Sequence, residues 1–328
     1  LPPEEGEGGW IPGRLASPGN REESGMIEAI GLKKSFGPVP ALCEISMEIR
    51  EDQVFGLIGS NGAGKSTLLR LIAGVLRPDK GEIRVDGEAV YDRPAIKERI
   101  FFISDEGWFF RNAVPRDVIG FYAGVYPGFE REKCLSLLSD FGLDPDRRIS
   151  NFSKGMKKQL SVLLGISSGT KYLLCDETFD GLDPVMKEGV KSLFSREMKE
   201  RPLTPVIASH NLRELQDICQ HVGILHRGGV LLSEEISALN PEIQRVQLVL
   251  EDEEASKEKL SELPILRQSR NGSVLTLVIR GKREEVEEKI RALSPRFFEL
   301  LPLGLEELFI SETEDAGYEL KKILSDGA

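Results

Sequence analysis

The nine residues GSNGAGKST, Gly59 to Thr67, restrict this chain more than any other stretch. They satisfy the spacing G-x-x-x-x-G-K-[ST] and lie between an apolar run, VFGLI, and a segment, STLLRLIAGV, whose Leu68, Ile72 and Val75 are spaced to share one helical face. Glycines at 59, 62 and 64 let the backbone close around phosphate oxygens, where a Cβ would obstruct it. Lys65 is then placed to reach the β and γ phosphates of a nucleotide, and Ser66 to offer its hydroxyl to Mg²⁺. The whole loop, Gly59, Ser60, Asn61, Gly62, Ala63, Gly64, Lys65, Ser66 and Thr67, is expected to hold the nucleotide. A glycine-rich turn with an incidental lysine is the competing reading, and the strand before and helix after argue against it.

Two further apolar runs end in chemistry. YLLC delivers Asp176 and Glu177, and PVIAS delivers Ser209 and His210. Apolar runs alternating with helical segments predict a mainly parallel sheet with helices on its faces. In such sheets ligands collect at the carboxyl ends of the strands, so these groups are expected to face the phosphate loop. Asp176 is then a metal ligand, directly or through water, and Glu177 accepts a proton from an attacking water. His210 donates to the γ-phosphate and orients that water. A solvated strand end and a surface or capping histidine are the plainer alternatives.

Composition sets limits. The chain has 328 residues, long enough for roughly two domains. Its formal net charge of -11 disfavours a partner bound through a phosphate backbone, so no nucleic acid is expected. The four cysteines, Cys43, Cys134, Cys175 and Cys219, form no C-x-x-C pair and fit a reducing cytoplasm. No apolar run reaches the roughly 18 to 20 residues that span a bilayer. Residues 1–25, rich in Gly, Pro and Glu, read as a disordered tail.

Other segments complete the outline. A strand is expected from Met26, and GILHRGGVLLSE reads as a hairpin turning at Gly228–Gly229. Residues 106–168 turn helical, with Trp108, Phe109, Phe110, Phe121, Tyr122 and Tyr126 near their beginning. A boundary is expected near 239–240. Beyond it RVQLVLE and SVLTLVI alternate, and REEVEEKIRAL places Val286, Ile290 and Leu293 on one helical face. Residues 240–328 therefore read as a small α+β accessory domain of the ferredoxin-like, split βαβ kind.

The segment NFSKGMKKQL, residues 151–160, places a serine and a glycine at a helix start, where exposed N–H groups can receive phosphate. With GSNGAGKST, NFSKGMKKQL, LLCDE, GLDP and ASH in this order, the chain resembles the nucleotide-binding subunit of ATP-binding cassette transporters over residues 26–239. The resemblance implies a P-loop nucleotide hydrolase cassette with a helical subdomain (about 106–168) and an antiparallel β subdomain. It implies ATP and Mg²⁺ as ligands, and two subunits sharing two ATP molecules, each between one P-loop and the other's signature. Ser153 and Gly155 then grip the γ-phosphate held by the partner, Phe36 stacks on adenine, and Asp183 lies at the dimer seam. A core phenylalanine is the alternative for Phe36. Lys157 and Lys158 are expected on the solvated face of the signature helix.

Three departures from the family pattern stand out. The signature L-S-G-G-Q is Phe152-Ser153-Lys154-Gly155-Met156, as in many bacterial export-type members. Asp105 takes the place of the glutamine that links metal to the helical subdomain, where a carboxylate could still ligate Mg²⁺. Thr178 replaces the usual proline. The ending PLGLEELFISETE resembles subunits of bacterial exporters whose membrane part is a separate chain. The resemblance thus implies an ATPase subunit whose one complete set of motifs allows a homodimer, peripheral on the cytoplasmic face of a membrane and docked on a permease. The aromatic cluster is either that docking surface or a subdomain core. A soluble cassette acting on ribosomes or DNA, and a hydrolysis-poor ATP sensor, are the alternatives.

Overall fold

The computed structural model describes residues 26–235, 243–251 and 259–301. The expected tail at 1–25, the boundary at 239–240 and the ending PLGLEELFISETE lie outside these residues. The chain separates into two compact units. One comprises the described residues up to His210 together with Gly223–Ser233, and the other Asn211–Val222 with the described residues from Glu234 onward.

The first unit is organised by a six-stranded sheet. Its strands are β3 (Phe55–Ile58), β6 (Ile100–Ile103), β7 (Tyr172–Asp176), β8 (Thr204–Ser209), β9 (His221–His226) and β10 (Gly229–Glu235), in the order β10-β9-β3-β8-β7-β6. β3, β8, β7 and β6 pair in parallel. Every residue of β3, β7 and β8 is buried, because helices cover both faces of such a sheet and the strands must be apolar throughout.

A second, antiparallel sheet has the order β2-β1-β4-β5, from β1 (Met26–Phe36), β2 (Val39–Arg50), β4 (Lys80–Val85) and β5 (Glu88–Ala89). Its inward residues, among them Ile27, Leu32, Ile45 and Val85, share one core with Phe55, Leu57, Leu68 and Leu174 of the parallel sheet and its first helix. That helix is α1 (Lys65–Ile72). It is shorter than the spacing predicts: it stops at Ile72 and leaves Val75 exposed. Gly74, at φ 63°, reverses the chain there, a conformation that a side chain disfavours.

After the short α2 (Pro94–Lys97) and β6, the helical stretch consists of α3 (Pro115–Val125), α4 (Arg131–Asp140) and α5 (Lys154–Ser167). Two helices follow, α6 (Pro184–Glu200) and α7 (Leu212–Gln216). Glu197 of α6, wholly buried, is held by Lys133 of α4 at 2.6 Å and by Arg201 at 3.3 Å. Arg201 in turn donates to the carbonyls of Thr170 and Ile166. A buried carboxylate is tolerable only when paired in this way. The hairpin between β9 and β10 turns at Arg227–Gly228, one residue earlier than the sequence predicts. Both residues have positive φ, 46° and 79°, as a two-residue turn with the twist of the strands requires.

The second unit holds a four-stranded antiparallel sheet of β11 (Ile243–Leu250), β12 (Ile265–Asn271), β13 (Val274–Arg280) and β14 (Pro295–Leu301), in the order β12-β13-β11-β14. This is the strand order of a split βαβ arrangement. Helix α8 (Arg283–Arg291) and the turn after it place Val286, Ile290 and Leu293 in one core with Val246, Leu248, Leu277 and Ile279.

Candidate active site

The functional groups leave the parallel sheet side by side. Ile58 pairs with Ser209, Asp176 with Ala208, and Ile103 with Cys175. The residues after each strand therefore emerge at one edge: the phosphate loop after β3, His210 after β8, Glu177 after β7 and Asp105 after β6. Parallel register converts four sequence-distant segments into one site.

The loop has the shape its glycines require. Gly64, at φ 106°, immediately precedes α1, and a Cβ there would come within 2.7 Å of the Ala41 carbonyl oxygen. At Gly59 a Cβ would meet the Leu225 carbonyl oxygen at 2.6 Å. Gly62, at φ 80°, holds left-handed backbone with open space where a Cβ would stand. No side chain caps the helix, so its first N–H groups remain for an anion. Lys65 is buried, with its ammonium donating to the carbonyls of Gly59 (2.7 Å) and Ser60 (3.2 Å).

Ser66 Oγ donates to Asp176 Oδ1 at 2.9 Å. The second oxygen, Asp176 Oδ2, is buried with no hydrogen-bond partner. Burial raises the Asp176 carboxyl above its ordinary range, against the lowering effect of the Ser66 hydroxyl, and the neighbouring Glu177 charge raises it further. A buried acid with an orphaned oxygen beside a hydroxyl is the donor set a Mg²⁺ ion fits: one or two protein oxygens, with water and phosphate completing the shell. Among the described residues no three His, Cys, Asp or Glu side chains converge as a protein-only metal cage.

Glu177 sits at φ 47°, left-handed backbone unusual for a residue with a side chain. Its Oε2 lies 2.9 Å from His210 Nδ1 and its Oε1 3.4 Å from Lys65 Nζ. With an ionised carboxylate as acceptor, Nδ1 carries the proton.

In the signature segment two residues have local structural roles and one expectation is overturned. Ser153 is the N-cap of α5, its Oγ accepting from the Met156 amide at 3.1 Å, so the hydroxyl has a local structural duty. At Gly155 a Cβ would stand 2.9 Å from the Gly181 carbonyl oxygen, so the residue is small because the turn after Glu177 packs on it. Lys158 is not solvated. It is 4% exposed, and its ammonium donates to Asp105 Oδ1 at 2.9 Å and to the Glu177 carbonyl oxygen. The acid expected to ligate metal, Asp105, is thus engaged by a lysine. Asp183 likewise has a local role, capping α6 by accepting from the Met186 amide at 3.0 Å. Phe36, at the tip of the β1–β2 hairpin, is 48% exposed, which rules out a core position. Lys158 and Gly181 are the residues that sequence reasoning missed. The spacing of Lys154 and Lys158, four apart on one helix face, was the available signal.

A parallel sheet that presents such a loop, a strand-end acid pair and a histidine at one edge, joined to an antiparallel sheet and a helical insertion, defines a P-loop nucleotide hydrolase of the cassette type. A family model described as ABC transporter matches residues 42–180. The ABC transporter ATP-binding protein YtrB of Bacillus subtilis (strain 168) is 29% identical over 287 residues, 88% of this chain and 98% of that protein. The bacitracin transport ATP-binding protein BcrA of Bacillus licheniformis is 30% identical over 211 residues, 63% of this chain and 69% of that protein. Among solved structures, an ATP-binding subunit of an ABC transporter shares the fold at TM-score 0.60 and 23% identity, covering 64% of this chain and 90% of that one. The chain belongs to the ATP-binding subunits of ABC transporters, and is an ATPase of that family.

Proposed function

We propose that this subunit closes on ATP as a homodimer, hydrolyses it with Glu177 as general base, and drives export through a separate membrane permease. The observation that carries the chemistry is the Glu177 carboxylate held between His210 Nδ1 and Lys65 at the mouth of the phosphate loop. Phosphates enter the cradle of Gly59–Thr67, where Lys65 exchanges loop carbonyls for phosphate oxygens. Glu177 takes the proton of the attacking water, and His210, oriented by Glu177, hydrogen-bonds the γ-phosphate through its other nitrogen. Mg²⁺, held by Ser66 and Asp176, would supply charge neutralisation at the β and γ oxygens. Phe36, exposed at its hairpin tip, is placed to stack on adenine. Ser153 and Gly155 would seal the γ-phosphate bound by the partner copy, with Asp183 at the seam.

The permease is the occupant we assign to the exposed aromatic stack. Trp108 and Phe110 meet edge-on at 5.2 Å, and Phe110 and Phe121 at 5.0 Å, all three exposed. Tyr122 and Tyr126 are not part of that face: they pack on Phe101, and Tyr126 donates to the Ile100 carbonyl. Among the described residues no helix is long and apolar enough to cross a membrane. Residence on the cytoplasmic face follows from that role. Export is favoured by the likeness of the chain's ending to exporter subunits. Affinity purification of the tagged subunit from native membranes should recover a permease, and reconstitution of the pair should move substrate outward on ATP. Recovery of ribosomes or DNA instead, or inward movement, would overturn the reading.

A further inference from the structure

A buried lysine is costly, because its ammonium leaves water, and it persists only where several oxygens surround it. Lys158 has three such oxygens. Asp105 Oδ1 accepts at 2.9 Å, the Glu177 carbonyl accepts as well, and Asp180 Oδ2 lies 4.0 Å away. One turn earlier on the same face of α5, Lys154 binds Asp180 Oδ2 at 3.0 Å, and Gly155 packs against Gly181. The signature helix therefore grips the whole turn from Glu177 to Gly181.

That turn needs holding. Glu177 occupies left-handed backbone, which is strained for a residue with a Cβ and persists only where surrounding contacts over-determine it. On its N-terminal side the Glu177 amide donates to the Ala208 carbonyl at 3.0 Å. On its C-terminal side the Glu177 carbonyl receives the Asp180 amide at 3.3 Å and the Lys158 ammonium. Of these, only the lysine belongs to another element that is not part of the sheet edge. Its counter-ion, Asp105, opens the segment that runs into the exposed aromatic stack.

We propose that Lys158 is a positioning residue for hydrolysis: paired with Asp105, its ammonium clamps the Glu177 carbonyl and thereby aims the Glu177 carboxylate at His210. The Asp105–Lys158 pair acts as one unit, neutral overall, in place of a single neutral side chain. It makes the aim of the base depend on where the 105–110 segment lies. This inference rests on Glu177 being the base.

The test separates kcat from ATP affinity in the full chain, with Lys158→Met, Lys158→Arg, Asp105→Asn and the double variant Asp105→Asn/Lys158→Met, and Glu177→Gln measured in parallel. Since a misplacement of about 1 Å can cost on the order of 100-fold, Lys158→Met is expected to lower kcat by about 10- to 100-fold while KM and nucleotide affinity stay within about threefold. Lys158→Arg, which can donate to both oxygens, should restore most of the rate. Asp105→Asn should cost several-fold alone and nothing further in the Lys158→Met background. Hydrogen exchange across residues 176–181 should accelerate in Lys158→Met. A folded Lys158→Met with unchanged kcat overturns the inference, as does an Asp105→Asn effect that simply multiplies with it. If Lys158→Met does not fold, Asp105→Asn decides, and an unchanged kcat there overturns it. Substantial turnover in Glu177→Gln would instead remove the assignment of the base on which this inference stands.

Discussion

Glu177 Oε2 lies 2.9 Å from His210 Nδ1, and the same carboxylate reaches 3.4 Å from Lys65 Nζ, so the base connects the end of β8 to the phosphate loop. Positioned general bases contribute on the order of 10²–10⁴-fold. Glu177→Gln is expected to lose turnover by that range and keep ATP affinity within a few-fold, because it weakens only the ion pair to Lys65 and leaves the loop backbone and its lysine in place. His210→Ala should lose about 10- to 1,000-fold in kcat, since it leaves the base in place but unpaired. Phosphate release and nucleotide binding, measured separately, check both.

Ser153 serves two ends, and one substitution separates them. Aspartate caps a helix as well as serine and complements the dipole, so Ser153→Asp should leave stability within about 0.5 kcal/mol. Its charge would face a partner's γ-phosphate, and ATP-driven dimerisation should disappear. Ser153→Ala should do the converse, costing about 1 kcal/mol of stability through the lost cap with a smaller effect on closure. Denaturant titration and light scattering read the two outcomes.

Asp86 anchors the far side of the parallel sheet. It accepts from Tyr172 Oη at 2.7 Å, Lys171 Nζ at 2.9 Å and Arg99 at 3.0 Å. Burial works to raise its carboxyl, but these three donors together hold it below the usual range. A folded pKa below the unfolded one gives stability that is present above about pH 4 and lost as pH falls through the folded value. Asp86→Asn keeps the shape and tolerates φ 49°, so it isolates the charge. It should destabilise by about 1–3 kcal/mol at pH 7, and the difference from wild type should shrink below about pH 4. Unfolding midpoints across that range test the sign.

Phe110→Ala with Phe121→Ala should abolish recovery of the permease while lowering the melting temperature less than loss of Tyr126 does, since both rings are exposed. Tyr126→Ala should instead lower stability, because that ring packs on Phe101 and its hydroxyl is bonded to Ile100. Equal effects on both readouts would contradict the division.

The phosphate loop, the acid pair and the histidine were legible because each ends an apolar run, and local order carries that information. The burial of Lys158 was not, because its partners stand 53 and 19 residues away in the sequence. The same holds for Asp86, whose partner Tyr172 is 86 residues distant. The packing of Gly155 on the Gly181 carbonyl, 26 residues away, was equally out of reach of a local reading. The β9–β10 hairpin turn was placed only to within one residue, since the Gly-Gly pair suggested glycine at both positions whereas Arg227 takes the first positive φ.

A nucleotide shared between two copies of this chain makes the dimer depend on ATP, which light scattering of purified Glu177→Gln protein with saturating Mg²⁺-ATP reads. The molar mass should double only with ATP, and should not double in Ser153→Asp combined with Glu177→Gln. A mass that stays monomeric at saturating ATP would contradict that sharing.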